Sequence, residues 1–407
     1  VRITDVMART AGQLLLVSPP RRQPSAHTGA FYEPPADFGP GRPGEILKAE
    51  PIDAYLMPGV RMRARAWRVL YRSTSATGEP RAVSGTVLLP VRRSVGPRPL
   101  IGYAIGTHGI GDTAAPSYLL PRGLDWEAGL ISMVLARGWA VAVTDYEGLG
   151  TPGDHTYMVG RALGPNVLDA MRAARQLHPN ELPDGGPAAL IGYSEGGFAT
   201  AWAAQLQPSY APDIPLKAIA AGAAAANLEV AGPNLDGTFF SFFTAYGGIG
   251  YAAAYPELDL DRYLTEEGRS SIDFLRQSNV LQAAVRGPHY THSNEWTNPN
   301  VLELPEWRVR LRENRLGLIA PEAPVLLHHA RRDQIVSFVH SLDLRDDWQA
   351  LGADVRLYVT RGGVDHISGA MAGMPVAIDW VARRFAGART RRPQPPTGEI
   401  VGEQRAA

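Results

Sequence analysis

The chain has 407 residues and no cysteine. Disulfides, thiol nucleophiles and Cys-ligated metals are therefore excluded. It also has no net charge, since 40 Lys and Arg residues balance 40 Asp and Glu. A nucleic-acid partner is not expected, because it would call for a basic face. No stretch approaches the ~20 apolar residues of a membrane span. No signal peptide is visible either: the apolar run near the start, Leu14-Leu15-Leu16-Val17, falls short of the ~7–15 residues such a core needs. Either a signal was removed before residue 1 or the protein is not exported, and the compartment stays open between secreted and cytoplasmic. Glycine and proline are plentiful, at 43 and 34, as many tight strand-to-helix connections and irregular insertions would require. The length allows a catalytic domain with a large insertion, or two small domains.

The chain divides by pattern. Residues 1–30 read as a loosely packed N-terminal segment. An extended, Pro-punctuated arm runs from Phe31 to Leu47. Ala66–Arg72 and Ser84–Leu89 alternate apolar and polar residues around a turn at Gly78-Glu79-Pro80, which predicts an antiparallel pair at a sheet edge. Strands and helices then alternate. Strands are expected at Pro99–Ala104, Trp139–Asp145, Ala188–Tyr193, Leu216–Ala226, Val325–Ala330 and Val355–Val359. Helices are expected at Trp126–Arg137, Asn166–Ala174, after Ser194 to about Gln207, at Val339–Leu351 and at Met371–Phe385. Nearly continuous apolar strands in such alternation predict an α/β fold, a mainly parallel sheet covered by helices on both faces. The alternation stops between 227 and 320, too long a stretch for a plain loop. It reads as a cap inserted between a first core part (31–226) and a second (321–387), and residues 388–407 as a disordered tail.

The stretch Ala188–Ala199 carries Gly192-Tyr193-Ser194-Glu195-Gly196 between an apolar strand and a helix. This Gly-x-Ser-x-Gly pattern is that of a nucleophile elbow, in which a serine on a sharp turn is exposed above a sheet. An alcohol attacks a carbonyl only if a base removes its proton, and that base needs an acid to fix its tautomer. In such hydrolases the order is Ser, acid, His. Asp333 follows one late strand and His366 the next, so Ser194, Asp333 and His366 are the expected triad. His328 and His329 lie within a strand and are weaker candidates. Asp365, beside His366, should point away from it. His289 and His292 form a His-x-x-His pair in the cap without a partner acid, so no metal and no cofactor is expected.

A tetrahedral intermediate needs two N–H donors for its oxyanion. One is expected from Glu195, whose side chain should be an exposed or helix-start charge. The other is expected from the Gly-rich loop Gly106–Thr113, at Asp112 or Thr113. The run Gly109–Ala114 also matches a loose dinucleotide fingerprint, but it lacks the helix and ribose-binding acid of such a site. Asp145, at another strand end, is expected to bond loop backbone beside the site. Phe239, Phe240, Phe242 and Phe243 suit a cap core or an apolar tunnel for an acyl chain, and with Tyr193 they are the expected substrate-binding residues.

Together, several short runs resemble the Candida antarctica lipase A-like secretory lipase family of the α/β-hydrolase fold. They are Phe31-Tyr32-x-Pro34-Pro35 with Pro43-Gly44, Gly106-Thr107-x-Gly109 through Ala115-Pro116-Ser117, Asp145-Tyr146-x-Gly148-Leu149-Gly150, Gly192-Tyr193-Ser194-x-Gly196-Gly197, and Asp333 and His366 in order. The likeness covers roughly Phe31 to Phe385. It implies hydrolysis of acyl-glycerol or other lipid esters, a cap shaping the acyl site, an oxyanion donor around Asp112 and Thr113, and an exported enzyme. Members often carry Cys where this chain has Ala114, so the associated disulfide cannot form. The expected function is a serine carboxylic-ester hydrolase acting on a small-molecule acyl ester, with transient lipid-surface contact through the cap. The competing expectations are an acyltransferase or cyclase using the same triad, and a non-catalytic binding protein on a hydrolase fold.

Overall fold

The computed structural model describes residues 29–92, 94, 96–387 and 399–400. The loose N-terminal segment expected at 1–30 and the disordered tail expected at 388–407 otherwise fall outside the described residues. Eleven-residue strands β4 (Ala64–Thr74) and β5 (Pro80–Pro90) follow β1 (Ile46–Ile52) and a small hairpin, β2 (Tyr55–Met57) with β3 (Val60–Arg61). The remaining strands are β6 (Leu100–Ala104), β7 (Ala140–Thr144), β8 (Ala188–Tyr193), β9 (Leu216–Gly222), β10 (Val325–His329), β11 (Val355–Val359) and the two-residue β12 (Glu399–Ile400). All except β2 and β3 form one sheet in the order β1-β4-β5-β7-β6-β8-β9-β10-β11-β12. From β7 to β11 every pairing is parallel, and the flanks are antiparallel.

The parallel strands are short and mostly apolar. β6, β7 and β8 are buried at every residue, as strands covered on both faces must be. Helices α1 (Ala128–Ala136), α2 (Gly160–Leu177), α3 (Glu195–Tyr210), α7 (Val339–Ala350) and α8 (His366–Phe385) supply the two layers. On one face α2 packs along α3, and the Trp348 indole N–H of α7 donates to Gln205 of α3 at 3.0 Å. On the other face Arg137, just past α1, pairs with Asp379 of α8. Between β9 and β10 the chain is helical, including α4 (Leu228–Leu235), α5 (Phe242–Ala254) and α6 (Pro305–Glu313).

Three expectations need correction. The β4–β5 pair is not the sheet edge. Ile46–Ile52, which overlaps the end of the expected extended arm, pairs antiparallel with β4 and covers it. Its sequence Ile46-Leu47-Lys48-Ala49-Glu50-Pro51-Ile52 includes the proline that edge strands tolerate. Helix α8 begins at His366, five residues before Met371, because Asp365 caps it by accepting from Ser368 N at 2.7 Å and from the Ser368 hydroxyl at 2.8 Å. Glu399–Ile400, within the expected disordered tail, pairs with Tyr358 and Val359 of β11.

Candidate active site

Sharp connections at the C-terminal ends of the parallel strands build the site, the place where ligands gather in such sheets. β8 ends at Tyr193 and α3 begins at Glu195, so Ser194 alone makes the turn. It does so at φ 60° and ψ −123°, a conformation that costs a non-glycine residue about 1–3 kcal/mol. Between Ala188 and Gln205 it is the only residue that is not buried. The flanking glycines permit the turn. A Cβ on Gly192 would lie 2.2 Å from Gly196 O, and one on Gly196 would lie 2.0 Å from Ala104 O. Ser194 N–H donates to Gly222 O at 2.9 Å, tying the turn to β9.

Asp333 stands just past β10 and His366 opens α8. The structure brings both to Ser194. His366 Nδ1 lies 2.6 Å from Asp333 Oδ2, and its Nε2 lies 2.9 Å from Ser194 Oγ. A carboxylate only accepts, so Nδ1 carries the proton and Nε2 is free to accept from the serine hydroxyl. Asp333 is itself held by its other oxygen, which accepts from Ile335 N at 2.9 Å and Val336 N at 2.8 Å. Burial works to raise its pKa, but hydrogen bonds from His329 and His366 and their charges hold the carboxyl well below the usual carboxylate range. The His366 backbone N–H donates to Gln334 Oε1 at 3.0 Å, and Tyr193 Oη–H donates to His366 O at 2.9 Å. Loops from three strand ends thus lock the imidazole.

His329 is a structural partner of the same acid. Its Nε2 lies 2.9 Å from Val336 O and 3.2 Å from Asp333 Oδ2, and its Nδ1 lies 2.7 Å from Ser341 Oγ. His328 is buried, and neither ring nitrogen finds a hydrogen-bond partner among the described residues. Asp145 accepts from Ser84 Oγ at 2.6 Å, from Ser117 N at 2.9 Å and from the Ser117 hydroxyl. It therefore ties β5 to the helical turn at Pro116–Leu119, and burial pushes its carboxyl up to about 6.

The Glu195 side chain is not an exposed charge. It is buried and paired with His155, whose Nε2 lies 2.8 Å from Glu195 Oε1, and His155 Nδ1–H donates to Glu147 O at 3.0 Å. The local sequence Asp154-His155-Thr156 carries no motif that would flag this partner. The Glu195 backbone N–H is the first of α3, where helix geometry leaves it without an intrahelical partner beside Ser194.

A cavity of about 810 Å³, counted to its open mouth, is lined by Ser194 and Glu195. Its walls are one face each of three helices: Leu228, Ala231 and Leu235 of α4, Phe243, Gly247 and Tyr251 of α5, and Trp307 and Leu311 of α6. Those spacings of three and four residues put the side chains in line. Ile335 and Val336 of the acid loop, with Tyr157 and Met158, also line it. Of the expected substrate residues only Phe243 is part of it. Phe242 is buried against Phe243 and Tyr246, Phe240 packs beside Phe239 and Phe243, and Phe239 stacks on His289 at 4.2 Å. Tyr193 sits behind His366, not in the cavity. Phe239 and Phe240 belong to the turn before α5, and Phe242 and Phe243, successive residues of the helix, face different ways.

Asp112 and Thr113 do not line the cavity. They form a 3₁₀ turn, Asp112–Ala114, where partial burial, with Asp154 and Glu33 nearby, pushes the half-buried Asp112 carboxyl up to about 7 against the opposing pull of a hydrogen bond from Gly150 backbone. Thr107 does not line the cavity either, but its hydroxyl lies 3.1 Å from that of Tyr157, which does. His289 and His292 do not converge. His292 Nδ1 lies 3.2 Å from Asp236 Oδ2, and among the described residues no group of three or more His, Asp or Glu side chains is placed to hold a metal ion. No helix among them is long and apolar enough to cross a membrane.

The sequence model of the secretory lipase family matches residues 116–392. Relatives include a protein of Mycobacterium tuberculosis named a probable inactive lipase, 29% identical over 88% of this chain and 82% of its own. Lipase 4 of Candida albicans is 29% identical over 93% of this chain and 84% of its own. Among solved structures, Candida antarctica lipase A in its closed state superposes with a TM-score of 0.82 at 22% identity, over 91% of this chain and 88% of that one. The cell wall degrading esterase LipA of Xanthomonas oryzae does so at 0.72 and 19%, over 86% and 100%. These last two establish a shared α/β-hydrolase fold, and with the family match covering more than half its length the chain belongs to the secretory lipase family.

Proposed function

We propose that the protein is a serine carboxylic-ester hydrolase of apolar acyl esters, with residues 227–320 as the cap that holds the acyl group. Ser194 Oγ attacks the ester carbonyl as His366 Nε2 takes its proton. Asp333 keeps His366 in the required tautomer and stabilises the imidazolium. The tetrahedral oxyanion is held by the backbone N–H of Glu195. Its second donor comes from the Gly-rich loop after β6, whose turn borders the elbow. Collapse transfers the His366 proton to the leaving alcohol and leaves an acyl-Ser194. Water, deprotonated by His366, then attacks the acyl carbon and releases the acid.

The observation that carries this reading is the hydrogen-bonded chain Asp333–His366–Ser194 opening onto an apolar cavity. The name of the mycobacterial relative does not transfer, since the three groups here are present and in contact. The test is turnover of p-nitrophenyl esters from acetyl to palmitoyl by the wild type and by Ser194→Ala. Loss of about 10⁴-fold or more in kcat is expected. Undiminished turnover by Ser194→Ala would sink the proposal.

A further inference from the structure

We propose that the Glu195 carboxyl is a subsite for a hydroxyl on the acyl group, so that the enzyme favours 3-hydroxyacyl esters over plain alkanoyl esters. The inference rests on the reading above, in which the acyl group carried by Ser194 lies in the cavity. Glu195 has the only carboxyl side chain among the residues that line this cavity. That side chain is 2% exposed. A carboxyl so enclosed calls for partners on both oxygens. Oε1 has one, His155 Nε2 at 2.8 Å. Oε2 has none among the described residues, yet its neighbours do not close it off, so it opens to the cavity.

The protons of the pair decide what Oε2 can take. His155 Nδ1 lies 3.0 Å from Glu147 O. A carbonyl only accepts, so Nδ1 carries a proton. Two lone pairs would repel each other at 2.8 Å, so a second proton lies between Nε2 and Oε1. Whichever of those two atoms holds it, Oε2 has no proton and can only accept. The pair as a whole has no net charge, so it calls for a neutral donor, as a hydroxyl is, rather than an ammonium group.

The loop that carries His155 is built into the same wall. Tyr157 and Met158 line the cavity with Glu195. The His155 ring stacks on Tyr146 at 5.7 Å and meets Tyr157 edge-on at 6.0 Å. Met158 stands at φ 58°, a strained conformation for a non-glycine residue and one that marks ligand-facing turns. The far end of the pair is fixed as well, since Glu147 N–H donates to Asn166 Oδ1 at 2.9 Å. Position along the substrate follows from the chain. Consecutive Cα atoms are about 3.8 Å apart, so a carboxyl on the residue after Ser194 meets the acyl group close to its carbonyl. A hydroxyl on carbon 3 falls in that reach. The tail of the chain lies instead among apolar side chains such as Leu228, Leu235 and Leu311. A plain alkanoyl chain leaves Oε2 against methylenes, unpaired, which a buried carboxyl tolerates poorly.

The test is competition among ethyl octanoate, ethyl 3-hydroxyoctanoate and ethyl 8-hydroxyoctanoate, each kcat/KM divided by the rate of alkaline hydrolysis of the same ester. The wild type should favour the 3-hydroxy ester over ethyl octanoate about tenfold or more, and should disfavour the 8-hydroxy ester, whose hydroxyl falls among apolar side chains. Glu195→Met is of similar length and has no acceptor, and it should bring the 3-hydroxy preference to parity or below. Glu195→Gln should keep most of that preference, because its amide N–H can donate to His155 Nε2 and turn the amide oxygen to the cavity. A wild type that does not distinguish the 3-hydroxy ester from ethyl octanoate would overturn the proposal, and so would a preference that survives in Glu195→Met. Should Glu195→Met fail to fold, the wild-type ratios decide, with the 8-hydroxy ester as the control for a general taste for hydroxyls. Ser194→Ala is run alongside. If it retains turnover, the functional reading fails and this inference with it, whereas an inactive Ser194→Ala beside a wild type without 3-hydroxy preference overturns the Glu195 assignment alone.

Discussion

Two histidine–carboxylate pairs border Ser194. One is His366 with Asp333, carried by the loops after β11 and β10. The other is His155 with Glu195, carried by the loop after β7 and the start of α3. Their contacts are alike in length, 2.6 Å against 2.8 Å, and both carboxylates are buried. They differ in the remaining ring nitrogen. His366 Nε2 faces Ser194 Oγ, whereas His155 Nδ1 is committed to Glu147 O. The second pair leaves no ring nitrogen for a substrate. An imidazole beside a carboxylate is a base only when its second nitrogen is left for the substrate's side, and backbone carbonyls decide that.

The largest expected effect separates the pairs directly. Asp333→Asn should lower kcat about 10³–10⁴-fold, because an amide stabilises the wrong tautomer of His366. Glu195→Gln keeps the backbone N–H and should lower kcat less than about tenfold, while losing about 2 kcal/mol of stability in urea unfolding as a charged hydrogen bond is replaced. Equal losses of kcat in the two variants would break the comparison.

The acid-loop side can be sharpened with pH. His328 and His329 are adjacent on β10, yet His329 is fully hydrogen-bonded and His328 has no partner among the described residues. Burial, with His329 beside it, pulls His328 down to about 3, below the ~6.5 of an unfolded chain. Its neutral form thus supports the fold fully above pH ~6.5, and that support is lost as pH falls toward 3. At pH 5 the loss is about 2 kcal/mol. His328→Leu should flatten the decline in unfolding free energy between pH 7 and pH 5, and an unchanged slope would contradict this.

The smallest effect concerns the cavity that the Glu195 side borders. Phe243 lines it and Phe239 does not. Phe243→Ala should change the long-to-short chain preference in kcat/KM about tenfold, Phe239→Ala less than twofold. Equal shifts would mean that the whole phenylalanine cluster contacts the acyl chain.

The parts of the site that could be read from the chain are those whose geometry is local. Gly192, Ser194 and Gly196 share one turn, and each apolar strand announces itself by its own run of residues. Asp333 and His366 are legible because each directly follows such a run. The Glu195 side chain was not legible, since its burial depends on His155, 40 residues away with no pattern of its own. Nor was the division among the phenylalanines, because the wall of a cavity is set by how α4, α5 and α6 face one another. β1 is not legible alone, because an edge strand with a proline looks like an extended arm until β4 is there to pair with it.

The sequence by itself determined the sheet's alternating construction, the elbow at Ser194 and the order of its partners, because periodicity and turn chemistry act over a few residues. Only the tertiary contacts set which histidine keeps a nitrogen free and which carboxylate is closed away. Those outcomes depend on hydrogen bonds between segments far apart in the chain, and such bonds exist only once the strands have placed their ends side by side.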